Sequence, residues 1–200
     1  MIILASKSPR RKELLSLCGL KFKVVPTEVE ETLPEGISPA EAVEYLSKIK
    51  AEPLRNDKDI IIGSDTVVAL ENEILGKPKD SADATAMLKK LSGRIHSVYT
   101  GVTLLMGKRE ITFHEKTDVK FYELSEKEIS DYVSCGECYD KAGAYGIQGF
   151  GGLLIERIDG DYKVISVEDP LAYHEYPPVR KYLCGDCAKE VELFIKNEAI

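Results

Sequence analysis

"DIIIGSDTVVAL" (residues 59–70) is apolar almost throughout, yet carries a carboxylate at position 65. An apolar run of this length reads as a strand buried on both faces, the pattern of an α/β sheet with helices on either side. Val67 and Val68 resume the pattern after Asp65. A charge interrupting such a run is costly unless it is used. Asp65 follows "IIIGS" directly, which puts it at the expected carboxyl end of the strand, where side chains of α/β sheets point into the ligand crevice. Thr66 adds a hydroxyl beside it. A cap or turn is the structural alternative for both residues.

Toward the N-terminus, "SPAEAVEYLSKIKAEPL" (38–54) is a helix opened by Ser38, Pro39 and Glu41, a capping box with proline in the first turn. Ala42, Val43, Leu46 and Ile49 form its apolar stripe, and Lys50 lies on the edge of that stripe. "KFKVVPTEVEET" (21–32) reads as a strand ending near Pro26, followed by an acidic loop. Glu30 or Glu31 in that loop, with Asp65, offers hard oxygen ligands to Mg²⁺; paired loop glutamates are also often just solvated. Residues 2–4 make a further short strand. In "SKSPRRKELL" (6–15), Ser8 suits an N-cap and Pro9 the first helical position. Arg10 and Arg11 then fall where the helix dipole is already positive. Two readings stay open there: a phosphate sits among them, or both side chains extend into water.

Toward the C-terminus, "GKPKD" (76–80) holds Lys77 in a rigid turn, by itself no more than an ordinary exposed lysine, and "SADATAMLKKLSG" (81–93) is a helix with Ala84, Met87, Leu88 and Leu91 inward. Residues 96–106 and 110–124 alternate with period two around Gly107–Lys108, as in a β-hairpin. "SEKEISDYV" (125–133) opens with a second capping box, Ser125 and Glu128. "DKAGAYGIQGFGG" (140–152) carries five glycines among apolar Ala142, Tyr145 and Ile147. It reads as a tight, partly buried loop where backbone approaches a ligand, with a purely structural turn as the alternative. Gln148, both donor and acceptor, suits a base edge. Residues 151–167 form two strands around Asp159–Gly160, and 188–199 could be a closing helix. Strands alternating with helices, with no repeat and no long linker, give one α/β domain over residues 1–200. Its architecture is a two-lobed mixed sheet with flanking helices and a central cleft.

The chain has 200 residues, 44% hydrophobic and 30% charged, with a net charge of −7. That balance argues against a nucleic-acid partner and for a small anionic ligand. No signal peptide and no membrane span are expected, which places the protein in the cytoplasm. The nucleotide motif G-x-x-x-x-G-K-[ST] is absent, as are G-x-G-x-x-G, G-x-S-x-G and H-E-x-x-H. His96, His114 and His174 show no metal spacing and read as surface or satisfied residues. Cys18 reads as a small core residue. Cys135 and Cys138 in "CGEC", with Cys184 and Cys187 in "CGDC", have the form of two zinc knuckles. Structural zinc and free thiols are the two readings; a disulfide suits a reducing compartment less.

"ASKSPRRKELL", "GSDTVV", "GKP", "LSGRIHSVYTGV" and "DKAGAYGIQGFGG", in this order and at these intervals, resemble the Maf family of nucleoside triphosphate pyrophosphatases, over about residues 1–165. The resemblance implies a fold related to the inosine triphosphatases (Ham1-like). It also implies hydrolysis of a nucleoside triphosphate to monophosphate and pyrophosphate, with divalent metal, Mg²⁺ or Mn²⁺. It makes Asp65 the proton acceptor and Arg10, Thr66 and Gln148 specificity positions. Ser6, Arg11, Glu31, Lys50, Lys77 and Lys141 match other polar positions of the family's cleft. "AGAYGIQG" resembles the branch acting on dTTP and UTP rather than on 7-methyl-GTP. The family's usual Asn-Val-Val-Gly-Leu-Pro after "GDY" is replaced here by "KVISVEDPLAYHEYPP", with Glu168 and Asp169, so residues 166–200 form a divergent segment. Such a change bears on one cleft wall or on the contacts of a homodimer. A non-enzymatic nucleotide-binding regulator of cell division and a nucleotidyltransferase are the competing readings.

Overall fold

The computed structural model describes residues 1–160. The second strand after Gly160, the 188–199 helix, His174, Cys184, Cys187 and the divergent 166–200 segment lie outside the described residues. The axis of the sheet is β3 (Ile60–Leu70), buried along nearly its whole length. On one edge it pairs antiparallel with β5 (Ile95–Met106), in unbroken register from Ile61↔Leu105 to Ala69↔Ser97. On the other edge β1 (Ile2–Ala5) runs parallel to it, from Ile2↔Ile60 to Ala5↔Gly63. The short β4 (Glu73–Leu75) pairs with that same edge only from Val68 to Leu70. The full order is β2-β1-β3-β5-β6-β7, with β2 at Phe22–Val24, β6 at Arg109–Phe121 and β7 at Ile155–Asp159.

This pairing leaves a notch. Between Gly63 and Val68 one edge of β3 has neither β1 nor β4 beside it. Asp65 and Thr66 sit in the notch. The expected strand-end position of Asp65 is therefore corrected: β3 continues to Leu70 because the long β5 keeps pairing with it, Asp65 opposite Gly101. The strand that ends beside Asp65 is β1.

The two faces of the sheet are covered differently. On one face lies α2 (Pro39–Ala51), opened by the expected Ser38–Glu41 capping box. It packs unusually close, because Gly63 and Gly101 face it. A Cβ at Gly63 would come 2.1 Å from the Ser47 carbonyl oxygen, and one at Gly101 2.2 Å from that of Val43. A buried hydroxyl pair, Ser47 Oγ to Thr103 Oγ1 at 2.8 Å, ties helix to sheet. Val43, Leu46 and Val67 form the small core between them. On the opposite face α3 (Ser81–Leu91) and α4 (Glu126–Ser134) cover Val68, Val98, Val119 and Phe121 in the largest core. Ser125 and Glu128 make the expected capping box of α4.

The hairpin turn at Gly107–Lys108 is as expected, with Gly107 at φ +54°. The glycine-rich segment is a loop with two short 3₁₀ turns, Ala142–Ala144 and Gly149–Leu154. It is tied to the "GKP" turn by the Gly143 N–H donating to the Gly76 carbonyl at 3.0 Å.

Candidate active site

A cleft of about 780 Å³ opens at the notch. Ten of the positions singled out as nucleotide-site residues line it: Ser6 just after β1, Arg10 and Arg11 from α1, Glu31 from the acidic loop, and Lys50 from α2. Asp65 and Thr66 come from β3, Lys77 from the "GKP" turn, and Lys141 and Gln148 from the glycine-rich loop.

Asp65 is the hub. Its Oδ1 accepts from Lys50 Nζ at 2.5 Å and from Arg11 Nη2 at 3.4 Å. The Asp65 and Lys50 side chains are only 13% and 14% exposed, so the pair is largely shielded from water. Among the described residues nothing is bonded to Oδ2. Burial lowers the Arg11 guanidinium below its usual range, and the Asp65 charge and hydrogen bond partly offset this. Arg11 also reaches Thr66 Oγ1 at 3.4 Å.

Lys50 Nζ also lies 3.1 Å from Glu31 Oε1. Two carboxylates thus converge on one cation. Hard oxygen donors of this kind suit a divalent metal whose other ligands are water and substrate oxygens. No third metal-binding side chain joins a group with them among the described residues. Glu30 takes no part; it is exposed and accepts from Thr32.

The α1 helix (Pro9–Leu17) begins at the cleft. Ser8 stands at its N-cap position, but its side chain makes no cap bond. Ser6 Oγ instead accepts from the Ser8 N–H at 3.1 Å. The first turn of α1 is therefore left with its dipole uncompensated by any acidic residue. This is the arrangement that an anionic ligand completes.

Three features were not read from the sequence. Thr100 lies opposite Thr66 in the β3–β5 register, lines the cleft, and bonds Thr66 hydroxyl to hydroxyl at 3.1 Å. Asp140 links the two lips of the cleft, 3.8 Å from Arg10 Nη1 and 2.6 Å from Lys141 Nζ. Burial opposes the Asp140 charge, but the bond and charge of Lys141 and the charge of Arg10 prevail and hold its carboxyl below the usual range. Behind the loop, His96 is buried, and its Nε2 lies 2.6 Å from the Tyr145 hydroxyl. Its Nδ1 has no partner among the described residues, so the expected satisfied histidine is satisfied on one side only. Strand pairing would have revealed Thr100; Asp140 and His96 needed the fold of the loop.

The zinc reading is half visible. Cys135 is exposed at the end of α4, Cys138 is buried, and neither is bonded to another cysteine among the described residues. Their proposed partners, Cys184 and Cys187, lie outside the described residues.

Known proteins share this sequence pattern and fold. A dTTP/UTP pyrophosphatase of Bacillus pumilus is 48% identical over 163 residues, covering 80% of this chain and 86% of the relative. One of Bacillus cytotoxicus is 50% identical over 162 residues, covering 80% and 85%. The structure of the Staphylococcus aureus Ham1 protein aligns with a TM-score of 0.51 at 17% identity, over 96% of this chain and 97% of that one, which shows the shared fold. The family described as "Maf-like protein" matches residues 1–166, a span that contains β1 to β7 and the whole cleft. With half-identical relatives along that same span, the chain belongs to the Maf family.

Proposed function

We propose that this chain is a nucleoside triphosphate pyrophosphatase, hydrolysing dTTP and UTP to the monophosphate and pyrophosphate. The observation that carries this reading is the convergence of Arg10, Arg11, Lys50, Lys77 and Lys141, from separate elements, with Asp65 in one cleft. Relatives half identical to this chain bear the name of that activity.

The geometry distributes the work. Water attacks the α-phosphorus, the bond from that phosphorus to the α–β bridging oxygen breaks, and pyrophosphate leaves. Asp65 takes the proton of the attacking water. In the free protein Lys50 and Arg11 engage Oδ1 and orient the carboxylate, leaving Oδ2 without a partner among the described residues. Positioned proton transfer of this kind contributes about 10²–10⁴-fold. Arg10, Lys77 and the N-terminus of α1 grip the polyphosphate, which restrains it and offsets charge on the leaving group. Glu31 and Asp65 are the residues that would hold Mg²⁺ or Mn²⁺, and such an ion supplies charge neutralisation to the phosphates. Gln148 and Lys141 line the cleft from the glycine-rich loop and are assigned to the nucleoside end, and Thr66 with Thr100 lines the wall beside Asp65. The substrate is a free nucleotide of the cytoplasm rather than a nucleic acid.

The test is a panel of nucleoside triphosphates incubated with Mg²⁺ or Mn²⁺, with pyrophosphate and monophosphate both quantified. Equimolar products, fastest from dTTP and UTP, are expected. Asp65→Asn should lower kcat by about 10²-fold or more while its circular dichroism and melting match the parent. Binding without product would favour the regulator, and near-parental turnover in Asp65→Asn would remove the assigned base.

A further inference from the structure

Lys50 stands where the metal-binding carboxylates converge. Its Nζ is within hydrogen-bonding distance of both Asp65 Oδ1 and Glu31 Oε1. This is not a wandering surface lysine. Its side chain is largely buried, its helix is pressed onto Gly63 and Gly101, and its own carbonyl accepts from Thr27 Oγ1 at 2.8 Å. Arg11 adds a second cation beside Asp65. Two carboxylates, one ammonium and one guanidinium leave this corner of the cleft neutral with no metal in it.

We infer that Lys50 is a resident counter-cation that keeps the Glu31–Asp65 pair free of divalent metal until a triphosphate carries the metal in. The inference rests on the pyrophosphatase reading and adds an order of loading to it. A divalent ion entering alone must displace an ammonium from both carboxylates and leave it beside Arg11 as excess positive charge. An ion entering on a triphosphate brings its own anion, and the displaced ammonium then finds a phosphate oxygen. The energetic difference between these two routes lies in the partner Lys50 moves to. The consequence is coupling: nucleotide and metal each raise the affinity for the other, by the same factor.

The experiment titrates Mn²⁺ into the substrate-free protein and reads free Mn²⁺ by electron paramagnetic resonance. The parent and Lys50→Arg are expected to bind Mn²⁺ weakly. Lys50→Met is expected to bind it at least about tenfold more tightly, although its turnover falls. The gain should vanish in Lys50→Met/Asp65→Asn, which locates it at this pair of carboxylates. No gain in Lys50→Met, or a gain that survives in the double variant, overturns the inference. A measurement on the parent alone guards against a misfolded variant. With the α,β-imido analogue of dUTP, the complex should hold Mn²⁺ more tightly than either protein or nucleotide does by itself. Equally tight Mn²⁺ binding by the free parent protein overturns the inference. Pyrophosphate release by the parent is scored separately. Its absence with the Mn²⁺ pattern intact would sink the activity alone; its presence without that pattern would sink the loading order alone.

Discussion

Oδ1 of Asp65 is engaged by two cations and Oδ2 by none among the described residues, and that asymmetry makes an ordinary carboxylate useful. Much of this was legible one residue at a time. A charge inside an apolar run, two arginines at a helix start and a lysine beside a helical stripe each violate a local preference. Local rules fail where a ligand or a partner makes up the difference. His96 shows the limit of such reading. Its sequence neighbourhood is an ordinary alternating strand, and only the fold buries it against Phe121 and Tyr145. Burial lowers its pKa from 6.5 to about 4, with Asp118 opposing weakly. Between those two values the unfolded chain holds a proton at His96 that the folded protein refuses. Stability at this residue is thus complete above pH 6.5 and is lost as pH falls toward 4, by on the order of 3 kcal/mol in all. Urea denaturation at several pH values should show the parent losing stability relative to His96→Gln across this window. A difference that stays constant with pH would refute the buried neutral histidine.

At the scale of elements, two kinds of helix anchoring can be separated. The capping boxes of α2 and α4 were visible in sequence because both partners lie within one turn. The contact of α2 with the sheet was not visible, since it depends on glycines 12 and 50 residues beyond Ala51 meeting carbonyls of a helix. Ser38→Ala removes one cap and should cost about 1 kcal/mol, with turnover unchanged in the folded protein. Gly101→Ala drives a methyl group against the Val43 carbonyl. It should cost about 3 kcal/mol or more and also lower turnover, because α2 carries Lys50 to Asp65. Denaturation curves and dTTP hydrolysis measured on the same samples separate the two effects. Equal behaviour of the two variants would show that α2 is not held by the glycine contact. The strand β3 was read correctly in kind but with Asp65 at its end, because its length is set by β5, a partner remote in sequence.

Across the whole molecule, the best-anchored parts flank a poorly anchored one. The α3–α4 face has the largest core, whereas α1 buries no residue fully. Its ties to the body run largely through cleft residues: Arg11 to Asp65 and Thr66, and Arg10 to Asp140. Elements with few buried contacts open at low free energy. A nucleotide that binds the closed arrangement stabilises it by about 2.7 kcal/mol at a hundred times its dissociation constant. Amide exchange in residues 9–17 should therefore be fast in the free protein and slow markedly when α,β-imido-dUTP is added. The amides of α3 should change little. Uniform slowing over both helices would show that α1 is not a separately ordered element.

Sequence alone determined the kinds of element, the capped helix starts, the family and ten of the polar residues that line the cleft. Each of those is encoded in local spacing and residue chemistry, which act within a few positions along the chain. Tertiary structure decided where the cleft opens. It placed β1 and β4 on one edge of β3 with a gap between them, set Thr100 opposite Thr66, and aimed Lys50 between Glu31 and Asp65. These are pairings between segments tens of residues apart, and their geometry comes from strand register and helix–sheet packing, which no local pattern specifies.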